Sequence, residues 1–436
     1  MIAEDRTSYE NAAKAQSQPW LVIATALAIA ILIIGPRTSH AVYPLLAVLP
    51  AIALWRNRDL VVFSPPPAVA VAYLAFAGYL AVNAFWAQDP LEAAGKVGFV
   101  WLLFVVGYIA WLGLPYVSDG DLKSLSIGIV AGAAVGMLYL TIECVWNFPI
   151  LKSVLTGFPA LRPPQKHVKL GPDGSMNVGL YLLNRGFGAA TVLLWPALML
   201  LWLLAPRRRA LWMGGLAVAG FTIATFSSEH ETSMLALFFS AFAMAALLIR
   251  QKPALWLIMI AWLGATLLVV PIAASAYSAG LYKADWIPTT GRNRIILWGV
   301  TAQRIDNAPL LGIGVGSTKE LDEQEGPRAE RPADHTYPLR TGRHSHNVYM
   351  QAWYELGAIG AALLATLGIT ALFALNRLPR NLRPAAISSF VAAAVMGAFS
   401  WGLFQTWFMA VFATWVIALM IAIELGRRTA THSPMS

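Results

Sequence analysis

Residues 342–375 read GRHSHNVYMQAWYELGAIGAALLATLGITALFAL. The stretch opens on polar residues, among them His344, His346 and Asn347. It then runs from Val348 to Leu375 with Glu355 as its only ionisable acid or base. A bilayer core about 30 Å thick needs roughly 20 apolar residues at helical rise. The second part therefore reads as a membrane-crossing helix, and the first part as its polar lip.

Similar runs recur along the chain, near 20–35, 41–55, 67–86, 95–114, 124–142, 186–205, 210–226, 233–249, 253–276, 384–399 and 402–422. With 348–375 they make twelve expected spans. The chain has 436 residues, of which 58% are hydrophobic and only 12% charged. A soluble domain carries roughly 25% charge. In lipid, backbone polar groups have no water to bond, so the spans should be helices. The expected fold is all-α: a single polytopic membrane domain over 1–436 with about twelve transmembrane helices. The polar start does not have the form of a signal peptide, so the first span should remain as an anchor. Cys144 is the only cysteine, which excludes an intrachain disulfide and a cysteine-rich metal site.

The net charge of +9 does not point to a nucleic-acid partner, because its placement follows membrane topology. Arg56 and Arg58, Lys123, Arg207 to Arg209, Arg250 and Lys252, Arg377 to Arg383, and Arg427 and Arg428 all fall on one side of a twelve-span path. Positive-inside orientation then puts both termini in the cytoplasm. The opposite face receives a smaller loop, about 143–185, and a large one, about 277–347. Loops of that length are uncommon unless structured or functional. Within the larger, RNRIILWGVTAQRI should form a short helix that ends before Gly312, Gly314 and Gly316. Those glycines lack the lysine of a nucleotide-binding loop.

Several polar residues gather at this second face. A neutral imidazole at His344 or His346 can accept a proton near neutral pH. A solvated loop end is the plainer reading of His344. A His-x-His pair can also bind zinc, but no third ligand stands at a familiar spacing. Arg185 opens a span and must face the bundle interior or the interface, because its charge is costly in lipid. With Arg292, Arg294 and Arg343 it would form a basic patch suited to a phosphate or pyrophosphate. Glu229, His230 and Glu231 lie in the turn after 210–226 and could pair with those arginines or hold a sugar. Asn347 suits a helix cap better than a reacting group. Gly357 and Gly360 are expected to let the helix pack closely.

HSHNVYMQAWYELGAIG resembles the signature of the O-antigen ligase and polymerase superfamily. In the ligase branch a His-Asn pair precedes Gly-x-x-Gly by nine residues, here His346-Asn347 and Gly357 to Gly360. GRNRIILW with NAPLLGIGVG, and Asn184-Arg185, resemble two weaker family features. Relatives carry an arginine in the turn where this chain has Ser228-Glu229-His230-Glu231, so no arginine role is carried over there. The resemblance implies a metal-independent, inverting glycosyltransferase of the bacterial inner membrane with no cofactor and a periplasmic active site. Its donor would be a glycan on undecaprenyl pyrophosphate and its acceptor lipid A–core, both met among membrane lipids. His346 would be catalytic. Arg185, Arg292, Arg294, Arg343, Asn347, His344, Glu229 and His230 would bind substrate. An O-antigen polymerase or a protein O-oligosaccharyltransferase would use similar chemistry on another acceptor. A secondary transporter for an anionic solute is the reading from a different class, and would gather its charges near the midplane.

Overall fold

The computed structural model describes residues 16–60, 66–161, 168–172, 175–228 and 230–431. Among these the only sheet is a small antiparallel hairpin, β1 (Val168–Leu170) against β2 (Met176–Val178). Everything else of regular structure is helix. The first half holds α1 (Pro19–Ile34), α2 (Ser39–Arg56), α3 (Ala68–Asn83), α4 (Pro90–Gly113), α5 (Asp119–Val145), the short α6 (Pro149–Gly157) and α7 (Asn184–Leu204). The second half holds α8 (Arg207–Ser227), α9 (Glu231–Ile249), α10 (Gln251–Leu267), α11 (Val269–Ser278), α12 (Thr289–Ile305), α13 (Ser317–Glu325), α14 (Val348–Asn376), α15 (Arg383–Phe399) and α16 (Thr406–Thr431).

Nine helical spans among the described residues are long and apolar enough to cross a membrane. The pair α10 and α11 makes a tenth if taken as one span. The two remaining expected positions are occupied by shorter apolar helices, α1 and α15. Sixteen residues of α1 rise only about 24 Å, short of a full hydrocarbon core. The all-α polytopic expectation holds. The expected straight span over 253–276 is instead bent by 64° between α10 and α11. Pro271 explains the bend: it has no N–H for the carbonyl of Leu267, and its ring crowds that carbonyl.

Large apolar side chains cover the outside of the bundle. Leu216 is 76% exposed and Ile249 80% exposed. In water this much exposed apolar surface would be unstable, and in lipid it is the ordinary outer face. The centre of the bundle is α7, whose span is 72% buried and apolar on nearly all sides. Around it pack α1, α5, α15 and α16. Small residues let α1 and α5 approach closely: a Cβ on Gly132 would stand 2.4 Å from the Ala26 carbonyl oxygen.

The motif helix α14 is not continuous. Gly357 has φ 67 and ψ −167, a conformation essentially reserved for glycine, and divides α14 into two helical halves. Backbone groups freed by the break are met by residues 309–314. The Ala358 N–H donates to Pro309 (2.9 Å), and the N–H groups of Ile313 and Gly314 donate to Tyr354 and Glu355 (3.1 and 3.0 Å). From α3, Tyr79 donates to the Leu356 carbonyl at 2.8 Å and Asn83 to that of Leu311 at 2.8 Å. Irregular backbone within a bundle persists only when protein satisfies it in this way. Gly357 thus faces a loop rather than a neighbouring helix, since its Cβ would lie 2.3 Å from the Leu310 oxygen. A Cβ on Gly360 would meet Leu356 of its own helix. The expected close helix packing at this pair is replaced by loop docking.

Candidate active site

The lip of α14 is held from three directions. Asn347 caps the helix, its side-chain oxygen accepting from the N–H groups of Tyr349 and Met350 at 2.9 and 3.0 Å. Trp298 of α12 donates from Nε1 to the Ser345 carbonyl at 2.6 Å. From the turn between α15 and α16, the Ser400 carbonyl oxygen lies 2.7 Å from His346 Nδ1. A carbonyl only accepts, so Nδ1 carries the proton and Nε2 keeps its lone pair. His346 itself has φ 54, a left-handed conformation that costs a side-chain-bearing residue energy and is held here by these bonds.

Beneath the lip, a chain of hydrogen bonds fixes the same turn. Gln351 Oε1 accepts from the Leu403 N–H at 2.7 Å, while Gln351 Nε2 donates to Glu355 Oε1 at 2.9 Å. The Glu355 carboxylate also accepts from the N–H groups of Gly316 (2.6 Å) and Thr318 (3.3 Å). Glu355 is 1% exposed and fully engaged. Both residues therefore connect the glycine loop to the Ser400 turn.

Burial lowers the His346 imidazole below its ordinary value, against a raising effect from the Ser400 bond, and Arg294 lowers it further. His344 packs 4.1 Å from the His346 ring, centroid to centroid. Burial, then His346 and Arg343, push His344 down to about 3. Its Nε2 is buried with no hydrogen-bond partner among the described residues, as is Ser400 Oγ. His230 bonds through Nδ1 to Ser233 Oγ at 2.8 Å and lies against the Trp401 ring. Burial, then Arg294, bring it to about 4. All three imidazoles are neutral at pH 7.

The four arginines separate into different environments. Arg294 is desolvated, which lowers its pKa, and Glu231 partly offsets this. It is electrostatically coupled to both His230 and His346 and has no ion pair among the described residues. Arg185 stands 5.4 Å from the Trp407 ring centroid, a cation–π arrangement. Trp407 meets Trp401 edge-on at 4.8 Å, and Trp401 in turn contacts His230. Arg185 thereby approaches the His230 side of the lip through the tryptophans of the Ser400 turn. Arg292 bonds the fully exposed Asp285 at 3.3 Å and keeps its Nε buried, with no partner among the described residues. Arg343 turns outward to Glu323 at 2.8 Å, with 60% of its side chain exposed. Glu229 lies outside the described residues, and Glu231 accepts from Thr290 at 3.1 Å.

His346, His344, Arg294 and His230 are thus brought together, Arg185 joins through an aromatic bridge, and Arg343 is engaged elsewhere. Sequence reasoning did not single out the turn SWGLFQTW (400–407), which supplies the His346 partner and both tryptophans. Its signal was a polar, glycine-containing break with two tryptophans between two apolar runs. Among the described residues no group of three or more His, Cys, Asp or Glu side chains is arranged to hold a metal ion.

Residues 216–365 match the model of a family described as O-Antigen ligase. The match runs from α8 into α14 and takes in His230, Arg292, Arg294, His344, His346 and Gly357. A Rickettsia felis protein provisionally named a polysaccharide ligase is 24% identical over 351 residues, covering 80% of this chain and 78% of that protein. A similarly named protein of Rickettsia prowazekii is 25% identical over 251 residues, covering 56% of this chain and 58% of its own. The exopolysaccharide production protein ExoQ of Rhizobium meliloti is 26% identical over 310 residues, 69% of this chain and 63% of that protein. The resemblance to the O-antigen ligase family, stated above from the motif, is borne out.

Proposed function

We propose that this relative of the O-antigen ligases transfers a glycan from undecaprenyl pyrophosphate to a hydroxyl of lipid A–core. The observation that carries the reading is the fixed tautomer of His346. Its Nδ1 is committed to Ser400, so Nε2 offers a lone pair near half-buried Arg294, which has no ion pair among the described residues. The positive-inside reading supports a periplasmic site with both termini cytoplasmic, because Arg377, Arg380 and Arg383 lie at the other end of α14.

In the proposed reaction the acceptor hydroxyl oxygen attacks the anomeric carbon of the donor glycan. The proton passes from the hydroxyl to His346 Nε2, and later to water. The bond between the anomeric carbon and the phosphate oxygen breaks, and the electron pair leaves with undecaprenyl pyrophosphate. Single displacement inverts the anomeric centre. Arg294, with Arg185 and Arg292, balances the charge building on the leaving pyrophosphate. Guanidinium groups suit this role because they stay charged and present paired donors to phosphate oxygens. His344, His230 and Asn347 hold the lip and its acceptor in place.

Reconstitution tests the assignment. Purified protein is given the lipid-linked glycan together with either lipid A–core or a second lipid-linked glycan. Glycosylated lipid A–core with inverted linkage is expected. Exclusive extension of the second donor would assign a polymerase instead, and no transfer to either acceptor would overturn the reading.

A further inference from the structure

Beyond the lip, α12, α13 and the segment leading to Thr341 line a cavity of about 200 Å³. Its wall includes Arg304, Asp322, Glu325, Arg328, Arg340 and Thr341. Two ion pairs frame it, Arg304 with Glu325 at 2.6 Å and Arg340 with Asp322. Three of its polar atoms are buried without a hydrogen-bond partner among the described residues: Asp322 Oδ1, Arg340 Nε and Thr341 Oγ1. Asp322 is 2% exposed and Thr341 1% exposed. Orphaned buried groups of this kind are costly, and a native fold rarely keeps several together without a ligand or water to meet them.

The chemistry of the wall restricts the ligand. An apolar group would leave every orphan unmet. A simple anion is opposed by Asp322 and Glu325, and a simple cation by three arginines. What fits is an uncharged group whose atoms both donate and accept: a hydroxyl donates to Asp322 Oδ1, and its neighbour accepts from Arg340 Nε. A sugar ring carries such hydroxyls at close spacing and occupies a space of this order.

We infer that this cavity is a subsite for one pyranose residue of the glycan, away from the reacting end. The inference rests on the glycan-transfer reading of the lip. Thr341 and His346 are joined by five residues, at most about 17 Å of extended chain. Arg304 and Trp298, which braces the lip, lie six residues apart on α12, about 9 Å of helical rise. The subsite is therefore within reach of a glycan whose anomeric carbon is at His346.

The test uses Arg328→Ala and Thr341→Val, which leave both framing ion pairs intact, in the full-length protein in nanodiscs. Saturation-transfer NMR follows an oligosaccharide freed from the lipid-linked donor by mild acid. Wild type is expected to transfer saturation to ring protons, and the double variant to lose most of that signal at unchanged thermal stability. With a long-glycan donor the double variant should raise KM about tenfold with kcat within twofold, and with a single-sugar donor neither should change. Equal NMR signals in wild type and variant, or an equal KM change for both donor lengths, would overturn the subsite. The NMR readout needs no turnover, so it stands even if neither acceptor is glycosylated.

Discussion

Two regions of α14 carry the recognised motif, and they are built on opposite principles. At the lip, His344 Nε2 and Ser400 Oγ have no hydrogen-bond partner and Arg294 no ion pair among the described residues, while Nε2 of His346 keeps its lone pair. About three turns deeper, at Gly357, the groups freed by the break are met by residues 309–314 and by α3. Unmet polarity is the mark of a place that handles substrate, and satisfied polarity that of a place that holds shape. One motif therefore contains a chemical half and an architectural half.

Replacing His346 with alanine should separate them most sharply. Glycan transfer is expected to fall roughly 10²- to 10⁴-fold, with protein abundance and thermal stability retained. Near-normal transfer would remove the chemical half of the contrast. Gly357→Ala should show the reverse pattern. Its backbone conformation and the Leu310 oxygen both oppose a Cβ, for a cost of about 1–3 kcal/mol in stability. A lower unfolding temperature with ordinary kcat in the surviving protein is the expected result, and unchanged stability would sink it. Arg294→Ala should raise KM for the lipid-linked donor about tenfold, measured by donor saturation, since its charge has no ion pair among the described residues to lose.

Acid should stress the lip more than the break. His230 and His344 are held neutral in the fold, near 4 and 3, whereas both titrate near 6.5 when unfolded. The unfolded chain then binds more protons, so stability is full above about pH 6.5 and is lost progressively as pH falls toward the folded values. The loss from pH 7 to pH 6 should be roughly 0.7 kcal/mol for each histidine. Thermal unfolding across this range would detect it, and His344→Asn should flatten the slope. Because His346 is also lowered, the acid limb of kcat/KM should lie below 6.5; a limb above that value would contradict a buried neutral base. The smallest effect is expected for Arg343→Ala, under twofold in transfer, because that side chain is exposed and paired with Glu323.

The sequence disclosed those features that local composition can encode. Apolar length located the membrane helices, and His346-Asn347 with its distant glycines disclosed the lip. The cap at Asn347 was also legible, because an N-cap bonds within its own turn. Three features were not. The bend at Pro271 was hidden within an apolar run whose average hydropathy stays high through the proline. Ser400 bonds His346 across 54 residues of chain. Glu355 meets Gly316 and Thr318 from the preceding loop. Such contacts depend on which elements become neighbours, and residue order carries no short-range trace of that. For the same reason the sequence favoured Arg292 over Arg294, although the helix turns Arg292 toward Asp285 and couples Arg294 to His346.

The docking of residues 309–314 into α14 also sets an order of events during synthesis. That loop is made before α14, yet the break is satisfied only when both are present with α3. Until they meet, the nascent helix holds open N–H and carbonyl groups at membrane depth, a state that lipid disfavours. Docking of this loop is therefore expected to act as a checkpoint in biogenesis. A pulse-chase of a chain with residues 309–314 replaced by a flexible linker would show it as shortened lifetime; an unaltered half-life would argue against it. His346, the proposed base, would reach its final position only in molecules that have made this contact, so a half-assembled copy is expected to lack a working site.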